Sequence, residues 1–202
     1  MTELLKVAFC AHYGITRRID ADIIPKISSI KNCFAIWDNP SIISSEEENN
    51  ILNINNSKEN NNITIFSYES FHNQIGIDSE EKCDYIIFDS ANQAFICAEL
   101  SKLLSTYLEI HPQEGIPVEG KRAKAYRQLE ITTNKLMAVF QINEFISSFL
   151  KKIAVFAYRL NDSNPMFARS VNAFNRSPKS LDANFGNGFY FYQREYPALL
   201  VI

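Results

Sequence analysis

The chain has 202 residues, of which 46% are hydrophobic and 21% charged, with 20 basic against 23 acidic side chains and a formal charge of -3. That composition belongs to an ordinary globular protein able to bury its own core, and it excludes a histone-like polycation. It leaves open a local basic patch, so partners depend on where the charges fall along the chain.

No apolar run approaches the roughly 18 residues that span a bilayer. The start, Met1 to Lys6, lacks the basic, apolar and small-residue regions of a signal peptide. A cytoplasmic protein with no membrane contact is therefore expected. The cysteines, Cys10, Cys33, Cys83 and Cys97, form no Cys-x-x-Cys pair and sit among apolar neighbours. Buried free thiols are expected, in preference to a disulfide framework or a zinc site shared with His12, His72 or His111.

In chain order, Leu4 to Tyr13 reads as a strand or short helix. Asp20 to Ile30 spaces Ile23, Ile24, Ile27 and Ile30 at helical intervals, with Pro25 in the first turn. Cys33 to Trp37 reads as a strand. From Asn49 to Asn62 eight of fourteen residues are asparagine, and Glu46, Glu47 and Glu48 precede them. This polar stretch, within an insertion at about residues 41–62, is expected to be a mobile surface loop.

Ile63 to Tyr68 reads as a strand and Glu69 to Gly76 as a helical turn. Cys83 to Phe88 and Ala94 to Leu100 flank turn-forming residues, which predicts a β-hairpin. Gly115 to Gly120 reads as a loop. Lys121 to Leu150 carries Ala125, Leu129, Thr132, Leu136 and Phe140 at the 3.6-residue period, with a break near Gln141 to Asn143 that would make two helices. Ile153 to Tyr158 follows as a buried strand, Pro165 to Phe174 as a helix, and Gly188 to Gln193 and Ala198 to Ile202 as strands. The pattern predicts one α/β domain over residues 1–202, a central mixed β-sheet flanked by helices.

Two acidic residues occupy telling places on the hairpin. Asp84 opens one strand and Glu99 lies near the end of the next, so antiparallel pairing brings both to one end of the sheet. Two carboxylates with a backbone carbonyl such as that of Leu100 suit Mg²⁺, which takes oxygen ligands and keeps several waters. Such an ion activates water and stabilises charge on a phosphoryl oxygen. After the hairpin comes a basic helix start, with Lys121, Arg122, Lys124 and Arg127 within seven residues and Gln128 next to them. Cations there oppose the helix dipole; they would touch phosphate, or else form a solvated helix start paired with Glu119 and Glu130.

The stretch from Ile63 to Tyr158 resembles the PD-(D/E)XK nuclease superfamily. The matching residues are Asp84 on a strand, Phe95-Ile96-Cys97-Ala98-Glu99-Leu100-Ser101-Lys102 on its partner, the basic helix, and the strand Ile153 to Tyr158. The resemblance implies a PD-(D/E)XK nuclease-like core, Asp84 and Glu99 as ligands for Mg²⁺ or Mn²⁺, and a catalytic lysine. It implies metal-dependent hydrolysis of nucleic-acid phosphodiesters, with Lys121, Arg122, Arg127 and Gln128 binding the nucleic acid. The sequence departs from the pattern at the lysine, because Ser101 stands two residues after Glu99 where lysine belongs. On a regular strand Lys102 points away from the site, and a bulge at Lys102 or a replacement by Lys121 or Lys124 would restore it. The other reading is a catalytically degenerate nuclease-like scaffold that binds a partner or nucleic acid. The aromatic C-terminal region, with Phe185, Phe189, Tyr190, Phe191 and Tyr192, would then be core or an interface with a protein partner or a second copy.

Overall fold

A computed structural model describes residues 1–17, 26–29, 33–36, 50–56, 61–77, 80–108, 111–113, 116–161 and 185–202. The expected helix at Pro165 to Phe174 lies outside them, as do residues 41–49 and 57–60 of the polar insertion. The N-terminus is helical, with a π-helical segment over Leu4–Phe9 running into α1 (Cys10–His12), and Leu5, Phe9 and Cys10 face inward.

Among the described residues six strands form the main sheet: β1 (Lys26–Ser29), β4 (Ile63–Ser67), β5 (Tyr85–Asp89), β6 (Ala94–Leu103), β9 (Lys151–Leu160) and β10 (Tyr190–Glu195), in that spatial order. The first four strands in this order pair antiparallel, while β6, β9 and β10 run parallel. A parallel connection needs a crossover. Between β6 and β9 it is supplied by α3 (Lys121–Ala138) and α4 (Phe140–Ser147). The chain is thus α/β, with a mixed sheet and packed helices.

A smaller sheet of β2 (Cys33–Ile36), β3 (Leu52–Asn55) and β11 (Leu199–Val201) is ordered β11-β3-β2. It shares a core with one face of the main sheet: Phe34, Leu52, Ile54 and Leu200 pack with Ile65, Ile87, Ile96, Ala98, Leu100 and Val155. On the other face, α3, α4 and the N-terminal helix bury Phe9, Leu129, Leu136, Ile142 and Ile146 against Ile86, Phe95, Cys97, Phe156 and Phe191. Successive residues of β6 alternate between these two cores, as the period of a strand requires.

Several expectations are corrected. The Asp20 to Ile30 segment is a strand where it is described, since Lys26–Ser29 pairs with β4 and sets Ile27 beside Ile65. Sheet pairing overrides the helical spacing there. Part of the asparagine-rich stretch is also ordered: β3 buries Leu52 and Ile54 between outward Asn53 and Asn55. Beside it, buried Asn56 and Asn61 bond each other, with Asn61 Nδ2 donating to Asn56 Oδ1 at 3.1 Å. The Gly115 to Gly120 loop includes β8 (Ile116–Val118), paired with β7 (His111–Gln113). The break in the long helix falls earlier than expected, at Val139, whose backbone is extended. Phe140 is therefore thrown off the apolar stripe and stands 69% exposed. Cys10, Cys83 and Cys97 are buried free thiols, but Cys33 is exposed.

Ser67 caps α2 (Tyr68–Ile75), its hydroxyl accepting the Ser70 N–H, and Gly76 ends the helix at φ 80° in the left-handed conformation. The hairpin turn between β5 and β6 is built by Asp89. Its buried carboxylate accepts the N–H groups of Ala91, Gln93 and Ala94 at 2.6–3.1 Å, so turn donors that would be stranded between two buried strands are satisfied.

Candidate acidic site at the hairpin

The hairpin places Asp84 against the stretch of β6 that holds Glu99. Tyr85 pairs with Ala98. One residue earlier, the Asp84 N–H bonds the Ala98 carbonyl at 3.1 Å, and the Asp84 Oδ2 accepts the Leu100 N–H at 2.7 Å. Asp84 therefore touches the backbone on both sides of Glu99. Its own carbonyl accepts the N–H groups of Tyr68 and Glu69 at the start of α2, at 2.9 and 3.2 Å. Three elements thus converge on one aspartate, which holds it firmly.

Glu99 is 9% exposed and Asp84 is half-buried. On β6, Ala98 and Leu100 belong to the core under the small sheet, and Cys97 belongs to the core under α3. By alternation Glu99 and Ser101 face α3, and Lys102 faces the small sheet. β6 stays in unbroken register with β9 from Ala94↔Lys151 to Leu103↔Leu160, so no bulge re-aims Lys102.

The basic helix is engaged with the entry to β5. The Arg127 guanidinium binds Glu81 through two bonds, at 2.6 and 2.7 Å, and also pairs with Glu119. It holds the Glu81 carboxyl below the usual carboxylate range. Gln128 Nε2 donates to the Lys82 carbonyl at 2.9 Å, and Thr132 Oγ1 accepts the Cys83 N–H, also at 2.9 Å. Arg127 and Gln128, expected on nucleic acid, thus fasten α3 to residues 81–83. Lys121 and Lys124 are exposed and Arg122 is half-buried. Lys124 lies one helical turn before Gln128, on the flank toward the Lys82–Asp84 segment.

Sequence reasoning missed Thr132 and Glu81 as the anchors of this entry. The signal for Thr132 was present, because a threonine at a stripe position of an otherwise apolar helix face needs a buried hydrogen-bond partner. Glu81 carried no signal, since its partner lies 46 residues away.

Among the described residues no group of three or more His, Cys, Asp or Glu side chains could hold a metal ion. An ion at Asp84 and Glu99 would need carbonyl or water oxygens to complete its shell. The donor set is hard oxygen, which fits Mg²⁺ or Mn²⁺ and does not fit a thiolate metal site. The Leu100 N–H occupies one of the roughly four lone-pair sites of the Asp84 carboxylate.

No helix among the described residues is long and apolar enough to cross a membrane. No protein-family model, curated protein or solved structure matches the chain.

Proposed function

We propose that the chain is a divalent-metal-dependent, PD-(D/E)XK nuclease-like protein that hydrolyses nucleic-acid phosphodiesters at the Asp84–Glu99 pair. The observation that carries this reading is Asp84 bonded to the backbone on both sides of Glu99. The element order supports it as well: an antiparallel meander β4-β5-β6, a helical crossover, then β9 parallel to β6.

In this reading Asp84 and Glu99 hold the ion, with a backbone carbonyl near Leu100. When bound, Mg²⁺ or Mn²⁺ supplies Lewis acidity and a more acidic water. Glu99 is buried at 9% exposure, and Asp84 is fixed by the Leu100 N–H. Of the lysines, Lys124 has the most favourable place for the missing cation, since it lies on the α3 flank toward Asp84. Lys102 is on the opposite face of the sheet, and Ser101 has no charge to offer.

That displaced lysine favours a second reading, a degenerate nuclease-like scaffold that binds without cutting. Labelled DNA and RNA incubated with Mg²⁺ or Mn²⁺ separate the two. For the enzyme, Asp84→Asn and Glu99→Gln each lower metal-dependent cleavage by about 100-fold or more, and Lys124→Ala lowers it by about 10-fold or more. No cleavage by the wild-type chain under any of these conditions sinks the enzyme and leaves the binding scaffold.

A further inference from the structure

The N-terminal helix buries one side and leaves the other open. Leu5, Phe9 and Cys10 face the core. The opposite side floors a groove of about 530 Å³, lined by Glu3, Leu4, Val7, Ala8, Ala11 and His12, with Gln141 of α4 as its wall. Spacings of one, three and four residues put these six positions on one helix face. Helix α4 packs against this helix. Val7 is 63% exposed, and Phe140, next to Gln141 in sequence, is exposed too. Apolar side chains grouped around a groove mark an interaction surface, whereas single ones need no explanation. The π-helical winding over Leu4–Phe9 is itself uncommon and recurs at functional sites.

The two ends of this face differ in chemistry. Of the lining residues only Glu3 and His12 ionise, and both are exposed. Roughly 13 Å of helix separates them. The stretch between them is apolar: Leu4, Val7, Ala8 and Ala11. Glu3 offers a carboxylate that only accepts hydrogen bonds, and His12 offers an imidazole N–H in either protonation state. The His12 ring stands edge-on to Tyr13 with centroids 4.7 Å apart, and the Tyr13 hydroxyl donates to the Lys135 carbonyl at 2.9 Å. That anchor holds the imidazole at the end of the groove. The Met1 ammonium is a nearby charge that Glu3 interacts with inside its own chain; a carboxylate has about four lone-pair sites, so it can accept a further donor.

We infer that this face docks on the same face of a second copy of the chain, the two helices antiparallel about a two-fold axis between Val7 and Ala8. From end to end the face reads acceptor, apolar, donor. Turned end for end, it sets each Glu3 against the His12 of the second copy and lays apolar on apolar. A two-fold contact requires that self-complementarity, because residue i on one copy meets j on the other and j meets i. The distance between packed helices is set by the side chains at the contact, so Ala8 and Ala11 allow a close approach. One helix face with one wall is small beside the roughly 800 Å² per partner of a stable complex, so the dimer is weak, with a dissociation constant on the order of tens of micromolar. The inference does not depend on the acidic pair at the hairpin.

Sedimentation velocity of the full chain over about 2 to 500 µM tests it, and the wild-type chain passes from monomer to dimer across that range. Val7→Arg sets two cations across the axis and weakens association at least about tenfold. Its thermal transition stays unchanged, because Val7 is exposed. Glu3→Lys opposes His12 with a cation and His12→Glu opposes Glu3 with an anion, so each weakens association about threefold or more, the contact being made twice. The double swap Glu3→Lys with His12→Glu restores wild-type association within about twofold. A chain that stays monomeric at every concentration overturns the self-docking and leaves the groove to a different partner. Wild-type association in Val7→Arg also overturns it, since the copies then meet elsewhere, such as at the aromatic C-terminal region. A double swap no tighter than the single variants overturns the antiparallel arrangement. Ala11→Arg repeats the test if Val7→Arg shifts the thermal transition.

Discussion

His72 shows how much one buried side chain can couple this fold to pH. It is fully buried on α2 and packs against Phe9, Tyr68 and Phe71, with ring centroids 4.5–6.0 Å away. Burial pushes its pKa down to about 3, and Lys82 and Lys135 push the same way. The other titratable groups around this cluster are Tyr13, Glu80, Cys83 and Cys97. The unfolded chain protonates His72 near its ordinary value of 6.5 and the folded chain does not, so this stability is present above that pH and is lost as pH falls toward 3. The expected loss from this residue between pH 7 and pH 4 is about 3 kcal/mol, at roughly 1.36 kcal/mol per pH unit. Denaturant unfolding at both pH values, compared with His72→Phe, measures it. If the two chains lose stability in parallel, His72 is not the coupled group.

The critical contact between elements is the one between α3 and the entry to β5. Arg127, Gln128 and Thr132 lie on one side of the helix at spacings of one and four residues, and they fasten Glu81, the Lys82 carbonyl and the Cys83 N–H. The ion pair is about two-fifths exposed on the arginine side, so it contributes little. The buried bond matters more, because Thr132 is 1% exposed and Cys83 is fully buried. Thr132→Val keeps the shape and strands the Cys83 N–H, at an expected cost of about 1–3 kcal/mol, while Thr132→Ser keeps the acceptor and costs less. Equal unfolding free energies for the two variants contradict that assignment. Since Cys83 precedes Asp84, the same bond sets where the acidic pair begins.

At the scale of the molecule, the main sheet is a wall between two cores, and Phe95 ties one side together. It is fully buried and stacks on Phe88, with Phe145, Phe149 and Phe189 edge-on at 5.6–6.3 Å. Those rings come from β5, α4 and its C-terminal exit, and the turn before β10. Phe95→Ala therefore opens a cavity shared by both halves of the chain, with an expected loss of about 3–5 kcal/mol. Chemical denaturation reads it directly, and a loss under about 1 kcal/mol means the site can collapse around the void.

What the sequence determined by itself is local. The alternation in Ile96 and Ala98 against Phe95 and Cys97, the turn residues after Phe88 and the stripe through Leu129 and Leu136 are each written within one element, so the hairpin and the long helix were legible. The place of Asp84 beside Glu99 was legible for the same reason, since a short turn leaves antiparallel strands little choice of register. Ile27 was not legible, because isoleucines at that spacing suit a helix or an edge strand, and only the presence of β4 decides. The buried alternation of Leu52 and Ile54 was hidden by the asparagines around it. The parallel pairing of β6, β9 and β10, which sets Lys102 beside Arg159, was decided by tertiary structure alone. These strands lie far apart in sequence, and no spacing within the chain records which of them pair in parallel. The physical reason is one of range: side-chain period is a property of a segment, whereas register between distant strands depends on how two cores fill on either side of the sheet.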